Sequence, residues 1–600
     1  MNTEEHVKKL LFFLEQNQIA EALDYLETLT QEERTCWEIE NLTGVICSYC
    51  GQYAEAISFF RRALGHDIIV PEVYYNLADA YCGLKKYQQA ILMLQHCEFV
   101  ATEASLLQAV QEMKNQISEI VAAESKESEE NNVLMVAYYF PPLSGSGVFR
   151  SLKFAKYLPE YGWNPTVISA KEPPKGWDYR DDSMVSEIPE KTSVIRLEDK
   201  VCTGQPVELS NERVSSLIHF LKGVFQLDKE GMQIFTSFLS SKKEILNMMT
   251  FPCGCLNWAW DVVKYIEENL DISKFKVIFT TSGPASAHLV GFYLKQKYGI
   301  PWVADYRDPW ALNPYGYMDM SDPRQRLAFL LEKVLLKHAN NNIVLEGSLP
   351  ERYINTFGIE KDQISCITNG YDEADFQKLD YSKVKTDKFT LTYSGLLYTA
   401  QRSMLPVLRA LQSLICEKKI DKDKLRLRIV GQGKEEESKI IAEKYGLSEN
   451  LEQTGYVSHK EALQANIESD ILLLFVGDDP RFKMTHTGKL FDYLRSGKYI
   501  LALAPKDGVV DEILSSTRHG IALLSTQEAE IKDAILSEYQ NWLEAKEGKS
   551  LSSSLIKEFD RRYLTMKLAD ILYLAEKKQV EIKETSNDVY NEGYLSGGSR

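Results

Sequence analysis

Residues 133–162 read VLMVAYYFPPLSGSGVFRSLKFAKYLPEYG. An apolar run, Val133 to Tyr138, has the length and composition of a buried strand. A loop with two glycines follows, Gly145 and Gly147, and then the amphipathic stretch SLKFAKYLPEYG, which reads as a helix. Glycines at this point remove Cβ atoms where backbone passes close to another group, and the N–H groups of the helix start can hold an anion. SGSG by itself equally suits a tight turn.

Working outward, further strand-like runs appear at 165–170 (PTVISA), 276–281 (KVIFTT), 302–308 (WVADYRD) and 342–347 (NIVLEG). Alternation of buried strands with amphipathic helices predicts a parallel, doubly wound sheet. A second series starts after Lys388 with FTLTYSG, LRLRIVGQG, LEQTGYV, DILLLFVG, YILALAP and HGIALL. Two such domains in tandem place the carboxyl ends of both sheets across one cleft, where nucleotide ligands bind. Between them, CITNGYDEADF reads as the connection. An insertion spans residues 172–260, with SLIHFLKGVF near its middle and FPCGCLNWAW at its end. A lid or acceptor-site helix pair is the simpler reading; leaning on a membrane surface is the other.

Towards the N-terminus the chain repeats. Ala22-Leu23, Ala56-Ile57 and Ala90-Ile91 recur at intervals of 34 residues, and Phe13/Cys47/Tyr81, Ile19/Tyr53/Tyr87, Leu26/Phe60/Leu94 and Leu10/Gly44/Ala78 fall in the same register. Gly51 and Lys85 mark turns, and Ser105 to Ala122 reads as a capping helix. This period, with small residues where paired helices touch, resembles the tetratricopeptide repeat, whose helical hairpins bury their apolar faces against their neighbours. Such an array offers a concave surface for a peptide or partner protein, or else serves dimerisation. Cys47 and Cys50 suggest a redox pair, but Cys47 occupies a core column and is expected to pack there.

The composition agrees with a soluble multidomain protein. Of 600 residues, 44% are hydrophobic and 11% aromatic, enough for large cores. The net charge of −17 disfavours a general affinity for nucleic-acid backbones. Ten scattered cysteines, without paired zinc-ligand spacing, fit reduced thiols in the cytoplasm. The start, MNTEEHVKKLLFFLEQ, is too short in apolar residues for a signal core, and no apolar run reaches membrane-spanning length.

The predicted organisation is therefore a tetratricopeptide-repeat-like helical domain at 1–123, a charged linker at 124–132, and a first Rossmann-like domain at 133–385. A second Rossmann-like domain at 386–552, a helix at 553–580 and a flexible tail at 581–600 complete it. The ordered set YYFPPLSGSGVFRSLKFAKYL, TTSGPASAHLVG, VADYRDPW, ITNGYD, TYSGLLYTAQR, IVGQG and TGKLFDYLRSGKYILAL resembles a GT-B glycosyltransferase of family 4, over residues 133–575. The resemblance implies an α/β GT-B fold of two Rossmann-like domains facing a cleft, with 133–385 the N-terminal acceptor-side domain, 386–552 the C-terminal nucleotide-sugar-binding domain and the 553–580 helix packing back on the N-terminal lobe. It also implies a retaining enzyme that moves a sugar from a nucleotide diphosphate sugar, as donor substrate, to a glycan, lipid-linked or protein acceptor, with no metal and no other cofactor. Such an enzyme would be cytoplasmic, with peripheral contact at the inner membrane face as an option and the repeats gripping an acceptor or partner.

The resemblance also assigns roles residue by residue. A departing diphosphate needs fixed cationic or N–H donors in a water-poor cleft. Gly395 ends the first strand of the second domain as in relatives, but Leu396 stands where a basic residue is usual, leaving Arg402 as the main diphosphate candidate. Thr487, Gly488 and Lys489 open a helix facing the diphosphate, with Lys489 a substitute cation and Asp492 set for the ribose hydroxyls. Met484 occupies the place of an earlier glutamate, so sugar contacts pass to Lys483, Thr485 or His486. Gly145 and Gly147 line the donor from the first domain; Gly431, Gly433, Gly455, Tyr456 and Val457 hold the base through backbone. His288 and Asp308 are expected at the reacting sugar, with Asp305 and Arg307 on the acceptor side; an internal Arg–carboxylate pair is the alternative for the latter group. A sugar-nucleotide epimerase of the same fold and a catalytically degenerate repeat scaffold are the rival functions.

Overall fold

A computed structural model describes residues 3–30, 33–65, 70–123, 131–172, 180–200, 203, 211–225, 227–239, 255–313, 319–383, 387–395, 403–431, 435–544 and 553–577. The chain forms two compact units, one of residues 1–131 with 160–163, the other of 132–159 with 164–600.

The first unit is a series of helical hairpins: α1 (Thr3–Glu15) with α2 (Ile19–Thr28), α3 (Trp37–Tyr49) with α4 (Tyr53–Leu64), α5 (Pro71–Gly83) with α6 (Tyr87–Val100), and α7 (Ala104–Ala123). The small column Ala22, Ala56 and Ala90 is fully buried. Each hairpin turns through a left-handed residue at the same repeat position, Asn17 (φ 56), Gly51 (φ 73) and Lys85 (φ 57). Only glycine adopts that conformation without steric cost. Cys47 is a buried free thiol in its core column, and burial raises its pKa.

The second unit contains two parallel sheets. Seven strands, β1 (Asn131–Val136), β2 (Trp163–Ala170), β3 (Ser193–Leu197), β4 (Phe275–Thr281), β5 (Trp302–Tyr306), β6 (Asn341–Val344) and β7 (Ile364–Cys366), lie in the order β3-β2-β1-β4-β5-β6-β7. Their register sets Val133 opposite Val277 and Asp305 opposite Ile343. Six more strands, β8 (Phe389–Ser394), β9 (Leu425–Val430), β10 (Leu451–Gln453), β11 (Ile471–Phe475), β12 (Tyr499–Leu503) and β13 (Gly520–Leu523), take the order β10-β9-β8-β11-β12-β13. Helices cover both faces, so central strands such as ILLLF of β11 are buried throughout.

Two edge strands depart from the sequence reading. β3 lies inside the stretch read as an insertion, and β7 ends at Cys366, the first residue of the stretch read as a connection, where no strand was read. Both are short, with little or no full burial, and so lack the continuous apolar run that marks the central strands. One helix of the insertion turns its apolar residues inward. In the helix Asn211–Phe225, Leu217, Phe220, Leu221, Val224 and Phe225 are buried in the core of the first sheet domain rather than offered to a surface. Among the described residues no helix is long and apolar enough to cross a membrane.

The helix α8 (Ser146–Tyr157) follows β1 and carries the charges that join the lobes. Lys153 contacts Glu187, Asp372 and Asp375 at 2.7, 2.7 and 2.8 Å, and Lys156 contacts Glu187 and Asp372 at 2.7 and 2.9 Å. Burial disfavours charge on both Lys153 and Asp372, but attraction wins: Asp375, Asp372 and Glu187 raise the lysine, and Lys153 and Lys156 lower the aspartate. The carboxylate trio has the spacing of a metal site, yet lysine ammonium groups fill it. After the second sheet the chain returns to the first lobe: Tyr371 pairs with Asp560, and the Arg562 guanidinium lies 5.1 Å from the centre of the Tyr157 ring.

Candidate active site

In an open α/β sheet the crevice opens where strand order reverses, which in the first lobe is between β1 and β4. Gly145 (φ 115) ends the loop after β1 and caps α8; Gly283 (φ 81) lies in the loop after β4. Arg307, just past β5, occupies the space between them. A Cβ on either Gly147 or Gly283 would collide with its guanidinium. Its backbone N–H donates to Ser282 Oγ at 2.9 Å, and its Nε lies 3.4 Å from Asp308 Oδ2. Gly147, expected to make room for a donor, thus makes room for Arg307. Asp308 is 70% exposed at the crevice rim.

Asp305 and His288 are placed differently from expectation. Asp305 is fully buried; Arg150 donates to it from Nε (2.9 Å) and Nη2 (2.7 Å), and Thr281 Oγ1 from 2.7 Å. It is the internal arginine–carboxylate pair, with Arg150 as partner, and cannot reach an acceptor. His288 lies on the helix Ser286–Tyr298 beneath the crevice, fully buried, with Nδ1 2.8 Å from Thr280 Oγ1 and its ring 4.4 Å from that of Tyr306. Burial pushes its pKa down to about 3, so the imidazole is neutral at physiological pH.

The second lobe brings its predicted residues together. Gly395 (φ 117), Gly431 (φ 127) and Gly455 (φ 69) end or follow β8, β9 and β10. Gly431 N–H donates to the Gly455 carbonyl at 3.0 Å, and a Cβ on Gly431 would lie 2.9 Å from the Gly395 carbonyl oxygen. A Cβ on Gly395 would lie 2.5 Å from Lys489 Nζ, which sits 4.1 Å from the Tyr393 ring centre. The lysine opens the helix Lys489–Ser496, following Gly488 at its N-cap. Thr487 Oγ1 is buried without a hydrogen-bond partner. Asp492 is one turn further, 3.4 Å from His459 Nε2. Val457 is half-buried beside them. Arg402, Leu396, Gln432 and Gly433 lie outside the described residues.

Contacts across the cleft show that the carboxyl edges face one another. Tyr456 OH lies 3.1 Å from Ser144 Oγ, next to Gly145, and His486 Nε2 lies 3.1 Å from the carbonyl of Leu345 at the end of β6. Arg352 Nη1 lies 3.0 Å from Met484 Sδ, so the departure at Met484 is filled by a thioether against an arginine of the opposite lobe. His459 was not singled out from the sequence. A capping box, Ser458 with Glu461, starts its helix and aims the ring at Phe149 of α8, 4.5 Å away between centres. Burial opposes charge on His459, but Asp492 and Asp375 raise its pKa. The box itself was the readable signal.

Residues 71–98 match the tetratricopeptide repeat family. That match spans the third hairpin, α5 with α6. No curated protein matches the chain in sequence. Among solved structures, the chain is similar to sucrose-phosphate synthase from Thermosynechococcus elongatus, at 13% identity over 74% of this chain and 98% of that one, with a TM-score of 0.47. A glycosyltransferase from Rickettsia africae ESF-5 gives 13% identity over 75% and 99%, with a TM-score of 0.48. An O-GlcNAc transferase mutant from Thermobaculum terrenum gives 11% identity over 96% and 99%, with a TM-score of 0.35.

Proposed function

We propose that the second unit is a glycosyltransferase that uses a nucleotide diphosphate sugar, and that the repeats bind its acceptor or a partner protein. One observation supports this most: Gly395, Gly431, Gly455 and Lys489 converge on the carboxyl edge of the second sheet, across from the Gly145 loop. Backbone without side chains, a lysine and a helix start together suit a diphosphate. Asp492, deeper in the same helix, suits ribose hydroxyls. Arg307 and Asp308 at the opposite rim suit the acceptor.

In the reaction the bond from the sugar's anomeric carbon to the diphosphate oxygen breaks and a bond from that carbon to an acceptor oxygen forms. Attack from the same face lets the leaving phosphate oxygen take the acceptor's proton, so retention needs no side-chain base. The buried neutral His288 fits that scheme better as a wall beneath the sugar than as a base. Lys489 stabilises the departing charge.

Incubating the full chain with a panel of nucleotide sugars, with and without glycan, lipid-linked and peptide acceptors, tests this by nucleoside diphosphate release. Acceptor-stimulated release is expected; epimerised donor without release would instead indicate an epimerase. The Met484–Arg352 contact favours one alternative, a degenerate scaffold, for which no nucleotide would bind.

A further inference from the structure

Arg561 opens the C-terminal helix, residues 561–577, and differs from Arg150, which is also buried. Arg150 is paired twice with Asp305 and donates to the Thr368 carbonyl at 2.8 Å. Arg561 is 4% exposed, yet among the described residues its guanidinium makes no ion pair; its Nη2 lies 3.4 Å from Asn369 Oδ1 and its Nη1 has no partner. Asp492, Asp372 and Asp305 act on it only from a distance, and burial together with the charge of Arg150 lowers its pKa to about 9. A buried guanidinium left this way is costly, and each unsatisfied buried donor calls for a partner.

The unpaired groups cluster. Phe559, two residues before Arg561, packs on Phe491 of the helix Lys489–Ser496 with ring centres 5.2 Å apart, and Phe491 packs on His486 at the same separation. His486 feels the charge of Arg561 as well as that of Arg150. The hydroxyls on either side of His486, Thr485 Oγ1 and Thr487 Oγ1, are buried without partners, as is His486 Nδ1. A guanidinium N–H and two hydroxyls from two elements are thus buried without partners, on segments joined through Phe559, Phe491 and His486.

We propose that Arg561, with Thr485 and Thr487, forms an oxyanion subsite that receives a phosphate group of the donor. This rests on the nucleotide-sugar reading of the cleft and gives the C-terminal helix a role in ligand binding as well as in joining the lobes.

Calorimetric titration of the full chain tests it, with UDP, GDP, uridine, guanosine and inorganic pyrophosphate as probes against wild type, Arg561→Gln and Arg561→Lys. The glutamine variant is expected to lose about tenfold or more in diphosphate affinity, as for a charged hydrogen bond, with nucleoside affinity unchanged and partial recovery in the lysine variant. A purely structural arginine would weaken both ligands alike. An unchanged ratio of diphosphate to nucleoside affinity in Arg561→Gln overturns the inference while leaving the nucleotide reading intact. Arg561-dependent pyrophosphate binding without nucleotide binding supports the subsite and overturns the nucleotide reading. Absence of binding by every probe overturns both. If Arg561→Gln does not fold, the Thr485→Val/Thr487→Val double variant decides: a lowered diphosphate preference supports the subsite and an unchanged one rejects it.

Discussion

Asp305 and Asp308 are three positions apart and have opposite surroundings. Removing Asp305 strands Arg150 as a buried charge, so Asp305→Ala is expected to cost about 3–5 kcal/mol of stability, read by denaturant unfolding. Asp308→Ala is expected to leave stability nearly unchanged and to lower turnover in the nucleotide-release assay. Gly147→Ala would displace the Arg307 guanidinium, and turnover is expected to fall by about tenfold to a hundredfold with little change in melting temperature. Only part of this was readable beforehand. The motif ADYRDPW places its charges at a strand end, but alternation along β5 does not say that Arg150, 155 residues earlier, is the partner of Asp305. The glycine loops were legible as close approaches, and the group that approaches was not.

A buried acid gives a pH prediction with a defined sign. Glu332 accepts the Ala311 N–H at 2.7 Å, and burial raises its pKa from 4.5 to about 8. The folded protein therefore binds a proton more tightly than the unfolded chain, and this stability is present below pH 4.5 and lost as pH rises towards 8. His288 acts in the other direction, losing stability as pH falls from 6.5 towards 3. Between pH 6.5 and 8 only the glutamate contributes of the two. Glu332→Gln is expected to flatten the decline in unfolding free energy there, by up to about 1.4 kcal/mol per pH unit. An identical slope in the variant would show that Glu332 is ionised in the folded protein.

At the scale of elements, the hairpin turns of the repeats and the edge strands show where sequence patterns carry information. The repeat register placed Gly51 and Lys85 at turns, and both have positive φ, as does Asn17 at the equivalent position. Lysine carries a steric penalty in that conformation, partly offset by the greater unfolded-state entropy of glycine. Lys85→Gly is expected to stabilise the first unit by about 0.5 kcal/mol, measured by thermal unfolding. Central strands were legible because burial on both faces requires unbroken apolar runs. β3 and β7, with little full burial, carry no such run. The helix Asn211–Phe225 shows the reverse: its apolar residues were plain, but whether they face a membrane or a core depends on the sheet domain they pack against, which local periodicity does not encode.

For the whole molecule, the claim is that two parallel sheets present their carboxyl edges to one nucleotide, with the diphosphate at Gly395, Gly431 and Lys489. Distant segments build this region: Gly395, Gly431 and Gly455 after β8, β9 and β10, the start of the helix Lys489–Ser496 and the Gly145 loop. Their union was anticipated through an ordered set of motifs, each weak alone, whereas His459 and Arg561 depended on packing between elements far apart in sequence. Hydrogen exchange of the full chain, with and without saturating nucleoside diphosphate, tests the claim most directly. Slowed exchange is expected together in the loops after β8, β9 and β10, at the start of the helix Lys489–Ser496 and around Gly145. Protection confined to the helical repeats, or no change in those loops at ligand saturation, would contradict it.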